Sequence, residues 1–125
     1  MSTPEPGPVE AAAVALETAL ATVEGLRVAR LGGIAPDPPA AIVGPPQLTF
    51  ESYCDGPTEA RFVVWVAVPS DDRSMERLWV LVPLAAAAIN TVTDASVVSA
   101  EPAVFDIGGP ELPAYSLLVP VALSS

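Results

Sequence analysis

The sequence predicts an α+β fold with a mixed, mostly antiparallel sheet flanked by two main helices, in the order α-β-β-β-β-α-β-β. An amphipathic helix comes first, alternating strands follow, and a strongly apolar helix precedes two closing strands. Within residues 62–89, a strand apolar on both faces leads through an acidic turn into a helix apolar almost all the way round. Such a segment must be covered on every side, and a chain of 125 residues has few layers with which to do so.

The length fits one domain with one core, for which we expect the boundaries 9–125 after a disordered tail at 1–8. The tail contains three prolines and has neither a cationic nor an apolar segment, so it is neither a signal peptide nor a membrane anchor. The longest apolar run, 78–89, is too short to cross a bilayer. Its hydrophobicity must therefore be satisfied by protein.

The first helix is predicted from apolar residues that repeat at alternating spacings of four and three, opposite a row of glutamates. Gly25 suits the left-handed position that ends a helix. Short strands are expected at 26–31 and 40–43, with a glycine pair and a proline-rich loop between them. The apolar positions of the helix are Val9, Ala13, Leu16, Leu20 and Val23.

The next two strands are predicted at 48–53 and 61–68, joined by a turn signal at 55–57. The first alternates in a way that is typical of a strand with one face inward and one face wet. The second is apolar on both faces, and both must be covered. Its two alternating sets are Phe62, Val64, Val66 and Val68, and Val63, Trp65 and Ala67.

The second main helix is predicted to start at the acidic turn. There, Ser70, Asp71 and Asp72 supply a capping side chain and negative charge to the free N–H groups. Pro83 lacks a donor for the helix interior, so we expect a kink or a break into two pieces. The helix should fray by 90–93.

Two closing strands are expected at 96–105 and 114–123, joined by a hairpin turn at 108–110. Proline cannot donate to a neighbouring strand, so Pro102 places the first of them at or near a sheet edge. This completes the predicted element order.

The composition argues against catalysis and against nucleic-acid binding. The chain has no histidine and no lysine, which removes the commonest proton shuttle and the amine used for Schiff bases and phosphate clamps. A formal charge of -10 repels DNA and anionic lipid.

Cys54 is the single cysteine, has no neighbouring base to activate its thiol, and fits a reducing compartment such as the cytosol. Asp71, Asp72 and Glu76 could suggest a cation site, but their position favours helix capping. We predict no catalytic, cofactor-binding or metal-binding residue.

Four residues are candidates for a subunit interface: Arg73, Arg77, Trp65 and Trp79. The two arginines lie four residues apart on one helical face, and Glu76 can pair with only part of their charge. An acidic edge on another subunit would complement them, although two solvated arginines remain the alternative. The tryptophans are either interface anchors or ordinary core residues.

Several segments carry a resemblance to a known family. They are Gly25-Leu26-Arg27-Val28 after the first helix, the run 38–43, the strand 62–68, the helix start 72–78 and the ending 97–115. With the first helix they cover almost the whole chain from Val9 onward. The order of these segments and the types of residue in them resemble those of the tail terminator proteins of bacteriophages with long, non-contractile tails. This is the lambda-type family, and the resemblance is to its members from phages of actinobacterial hosts especially.

The resemblance implies a subunit that closes into a homo-oligomeric ring, with six copies as the expected number. In that family the ring caps the head-proximal end of the tail tube, stops tube polymerisation and joins the tail to the head connector. The implied partners are other copies of the chain, the tail tube protein and the connector protein. DNA would be only passing cargo in an acidic channel. The implied location is the head-tail junction of the virion, after synthesis in the host cytoplasm, without a membrane.

Three other interpretations remain open. Another ring of the neck or tail, either a head-closure protein or a tail tube subunit, is the nearest. A tube subunit should polymerise into stacked rings, whereas a terminator should stay as single closed rings. A small ligand-binding or enzymatic α+β domain would need a pocket where several polar residues converge. The third is a bacterial binding module unrelated to phage.

Overall fold

The computed structural model describes residues 7–32, 37–51, 56–106 and 111–123. Its helices are α1 (Pro8–Leu20) and α2 (Ser74–Ile89), and its strands are β1 (Arg27–Arg30), β2 (Ala40–Val43), β3 (Gln47–Phe50), β4 (Pro57–Ala67), β5 (Ser99–Phe105) and β6 (Leu112–Ala122). The predicted α+β class and element order are confirmed.

The strands form one sheet in the order β1-β2-β4-β6-β5, and β3 pairs with β4 off this path. Only β1 and β2 pair in parallel, so the sheet is mixed and mostly antiparallel, as predicted. β4 is the central strand. It pairs with β6 from Glu59 to Ala67 along one edge, while β2 and β3 share its other edge.

Both helices pack on the same side of the sheet, which we call the helix face; the opposite side is the open face. Even-numbered side chains of β4 point to the helix face, because successive residues of a strand alternate between faces. Phe62, Val64 and Val66 are at most 1% exposed. They pack in one cluster with Leu16 of α1 and Leu78 of α2, which forms the main core.

Arg30 of β1 forms ion pairs with two glutamates of α1 and so links this helix to the sheet. The Arg30 guanidinium lies 2.8 Å from a Glu17 carboxylate oxygen and 2.9 Å from one of Glu10. Hydrogen bonds to Glu17 and Glu10 raise the pKa of Arg30 above its usual value. A raised pKa means that this stabilisation is present below the unfolded-state pKa and is lost only at extreme alkaline pH. Arg30 itself therefore introduces no pH dependence near neutrality.

α2 begins at Ser74, after the acidic turn and not within it as predicted. The buried Ser74 hydroxyl accepts a hydrogen bond from the Asp71 N–H at 2.8 Å and donates to the Pro69 carbonyl at 2.7 Å. The Asp71 carboxylate accepts from the Arg73 N–H at 2.8 Å. These bonds close a separate turn over residues that would otherwise start the helix.

α2 runs without a break across Pro83, so of the two predicted alternatives, a kink or a break into two pieces, the break does not occur. The helix ends at Ile89 and is followed by a turn, as expected. β5 is the last strand of the sheet order, which confirms the edge position predicted from Pro102. At the other end of the chain, Pro8 is the first residue of α1, where its missing N–H would have had no partner.

β3 differs from its prediction as a strand with one inward face. All four of its residues are exposed, with Leu48 at 39% and Phe50 at 62%. β3 lies at the margin of the sheet. Its sequence alternates between apolar and polar residues, but no other part of the described structure buries the apolar ones. Glu51 follows β3 outside the strand, whereas residues 52–53 of the predicted range lie outside the described residues, as do Cys54 and the turn at 108–110.

Replacing Asp71 by Ala should lower the free energy of unfolding by about 1 kcal/mol. The change removes the bond to the Arg73 N–H and an ion pair in which Arg77 Nη1 lies 2.6 Å from the Asp71 carboxylate. Urea denaturation measures the loss. Asp72→Ala is the control, since Asp72 has no hydrogen bond or ion pair within the described ranges, and it should stay within about 0.5 kcal/mol of the parent. Equal losses in the two variants would contradict this account of the turn.

Candidate self-association surfaces

The outer side of α2 is apolar. No polar residue occurs between positions 78 and 89, so the helix has no polar face to turn to solvent over that length. Its inner residues, such as Leu78, are buried. Its outer residues are not, since Trp79 is 61% exposed, Val80 62% and Leu84 50%.

The size of this patch can be judged from side-chain areas. A buried tryptophan covers roughly 150–250 Å², so Trp79 alone presents on the order of 100 Å² or more. With Val80 and Leu84, the patch on the outer side of α2 reaches on the order of 300 Å². Contiguous apolar patches of about 300–600 Å² are the largest on typical monomers and are often functional.

Two arginines continue the outer side of α2 toward its start. With 3.6 residues per turn, Arg77, Val80 and Leu84 fall along one line of α2. Together with Arg73, which immediately precedes the helix, we call them the outer stripe. Arg77 is paired with Asp71 of its own chain. Arg73 is the only one of the five arginines with no ion pair in the part of the chain that the structure describes.

Trp79 lies on the flank of α2 that faces β6. Its indole Nε1 donates a hydrogen bond to the Tyr115 hydroxyl at 3.1 Å. The same hydroxyl lies 3.8 Å from the sulfur of Met75. The indole is thus held in place by a hydrogen bond while most of its surface remains exposed, and it is not an ordinary core residue.

Trp65 lies on the open face, within a small second cluster. Its ring centroid is 5.7 Å from that of Phe105, and it packs beside Ile42 and Ala114. Gly44 makes room for the indole, because a Cβ at position 44 would lie 2.6 Å from Trp65 Cζ3. The position of this ring therefore depends on a residue without a side chain.

The open face is apolar at its centre and polar toward β5. The strand registers place Trp65 of β4 beside Ser116 of β6, and Ser116 beside Glu101 of β5. In the next row Val63 lies beside Leu118. A recess of about 230 Å³ opens here, lined by Val63, Ser99, Glu101, Ser116, Leu117 and Leu118. Neither helix covers this face, since both pack in the core on the other side.

A different groove, of about 480 Å³, lies between α1 and the end of the sheet formed by β1 and β2. Its lining is mostly apolar, including Val9 and Phe62, and its charged pair is Arg30 with Glu10. Across residues 7–32, 37–51, 56–106 and 111–123, no three acidic or cysteine side chains form a group that could hold a metal. No helix in these ranges is long and apolar enough to cross a membrane.

The structure divides the predicted interface candidates between two surfaces. Arg77 and Trp79 lie on α2, Arg73 immediately precedes it as the N-cap residue, and Trp65 lies on the open face. Sequence reasoning did not single out Val80 and Leu84, although an apolar run without a polar face was the available signal. It also missed Glu101, because periodicity alone does not show which face of an edge strand is left uncovered. No protein-family model matches this chain, and no curated protein sequence does.

Replacing Gly44 by Ala should lower the free energy of unfolding by about 1–3 kcal/mol, because the new Cβ must displace the Trp65 ring. Guanidinium denaturation followed by tryptophan fluorescence measures both the loss and the altered environment of the ring. Gly56→Ala is the matched control, since nothing lies within 4 Å of a Cβ at that position. A Gly44 variant as stable as the Gly56 variant would contradict the packing described.

Proposed function

We propose that this chain is a structural, non-enzymatic protein that assembles into a closed ring at the head-proximal end of a phage tail tube. There the ring stops tube polymerisation and joins the tail to the head connector. The exposed outer side of α2, with Trp79, Val80 and Leu84 at 50–62% exposure, carries the proposal of self-association. The resemblance of the element order to tail terminators supplies the identity of the ring.

The energetics favour assembly through more than one patch. Covering about 300 Å² of apolar surface contributes roughly 8 kcal/mol at 25 cal/mol per Å². Association costs on the order of 4–15 kcal/mol in lost freedom and ordering. A standard interface also buries about 800 Å² on each partner, which is more than α2 alone presents. Val63 and Trp65, which are partly exposed on the open face, are candidates for the additional area.

Two different surfaces on one subunit favour a ring over a simple dimer. An open row of subunits joined through unlike patches leaves one patch free at its first subunit and the other patch free at its last, until the row closes into a ring. Closure then covers all copies equally. Such a ring needs no other partner to satisfy its apolar surface.

The charge of the chain is compatible with DNA passing through the ring. Fifteen carboxylates face five arginines, and four of those arginines contact a carboxylate of the same chain. The excess negative charge repels phosphates. A lumen lined by such a surface would let a duplex slide without adhering.

The purified protein should form discrete closed rings, visible by negative-stain electron microscopy and with a single mass by light scattering. The double variant Val80→Glu/Leu84→Glu should be monomeric, because charge on the outer stripe opposes its burial. Both residues are at least half exposed, so circular dichroism and thermal melting should show a folded chain.

The matched control for these variants is Val14→Glu on α1, which also places a carboxylate at an exposed valine, 46% accessible. It should assemble like the parent. A wild-type protein that stays monomeric at high concentration would refute the ring. Stacked rings that grow into tubes would instead identify a tail tube subunit.

The phage identity has its own test, which is the order of genes around the coding sequence. Neighbours encoding a major tail protein and a tape measure protein are the expected result. A neighbourhood of metabolic or regulatory genes would contradict the tail assignment, even if rings form.

A further inference from the structure

We propose that the contact between copies is heterologous: the outer stripe of α2 in one copy packs on the open face of the next, and Arg73 of the first lies against Glu101 of the second. This inference rests on the proposed self-association and names the two surfaces that meet. The partner is a second copy of this chain.

The first support is the missing layer on the open face. β4 is apolar on both sides, yet both helices of the chain pack on one side of the sheet. Val63 and Trp65 on the other side remain partly exposed. A helix is the usual cover for an apolar sheet face. The helix of this chain with an unused apolar side is α2.

The second support is that one type of contact covers both surfaces. If α2 paired with α2 of another copy, the outer stripe would be buried, and Val63 and Trp65 on the open face would stay partly exposed. Packing the stripe on the open face covers the two surfaces together. It also adds the area of the sheet to that of the helix, which brings the interface closer to the standard size of about 800 Å² per partner.

The third support is charge complementarity. Arg73 is the arginine without an ion pair, and Glu101 is an exposed carboxylate for which the described residues likewise provide no ion pair. One lies at the end of the outer stripe and the other at the margin of the recess on the open face. An ion pair at such a rim orients the partners more than it holds them.

The spacings of the two surfaces also match. Arg73 and Val80 are seven residues apart, or about 10 Å along a helix. Glu101 and Trp65 are separated by two strand intervals, or about 10 Å across the sheet. A helix crossing the strands with Arg73 at Glu101 therefore brings Val80 over the apolar centre of the open face.

The test mixes two blocked variants. Val80→Glu/Leu84→Glu blocks the stripe, and Ser99→Arg/Ser116→Arg blocks the open face by adding bulk and charge beside Glu101 without removing an apolar side chain. Each variant alone should be monomeric. An equimolar mixture should form a 1:1 heterodimer and nothing larger, because one intact stripe and one intact open face remain. Native mass spectrometry resolves these species, with circular dichroism to verify that each variant is folded.

A smaller perturbation avoids any risk to folding. Arg73→Glu and Glu101→Arg alter two exposed residues, and each alone should weaken assembly about two- to fivefold. The two changes in one chain should restore it.

Failure of this inference is distinguishable from failure of the proposed function. If the wild type forms rings and the chain blocked at the open face still assembles alone, the inference is overturned and the ring stands. A mixture of folded variants that stays monomeric, or a charge swap without recovery, overturns it as well. A monomeric wild type overturns both.

Discussion

The structure depends on the double-sided apolar character of β4. One set of its side chains, including Phe62 and Val64, forms the core with two helices. The other set, including Val63 and Trp65, faces a side of the sheet that neither α1 nor α2 covers. Strand geometry makes this unavoidable, because successive residues point in opposite directions. A chain with a single layer of helices can bury only one set completely.

α2, like β4, carries more apolar side chains than the core of the chain can bury. Its inner residues complete the core, and its outer side offers Trp79, Val80 and Leu84 to solvent. The hydrogen bond from Trp79 to Tyr115 holds the indole in place, so less side-chain entropy is lost when a partner covers it. Preorganised aromatic side chains of this kind are typical anchors of protein interfaces.

The sequence was sufficient where periodicity and turn residues agreed. The bounds of β2 were predicted as observed, and the edge position of β5 followed from Pro102 because proline lacks a donor. The start of α2 was misplaced because the Ser74 hydroxyl bonds back to residues before the helix, a tertiary detail that capping preferences do not contain. β3 was misjudged because alternation does not reveal whether a strand lies at an uncovered margin.

The candidate surfaces were only half predictable for a related reason. An apolar helix without a polar side already indicates surplus surface, and the predicted interface candidates Arg73 and Arg77 lie at the start of that helix. The face of β4 left open could not be chosen, since both of its faces are equally apolar. Likewise, the sequence alone does not show that the Trp65 ring leaves no room for a side chain at Gly44.

The most direct measurement of the surplus apolar surface is a cryo-electron microscopy reconstruction of the protein in its assembled form. We expect side chains of neighbouring copies to cover both Trp65 and Trp79. A reconstruction in which these indoles face solvent, or in which the copies meet only through α1, would contradict the central claim.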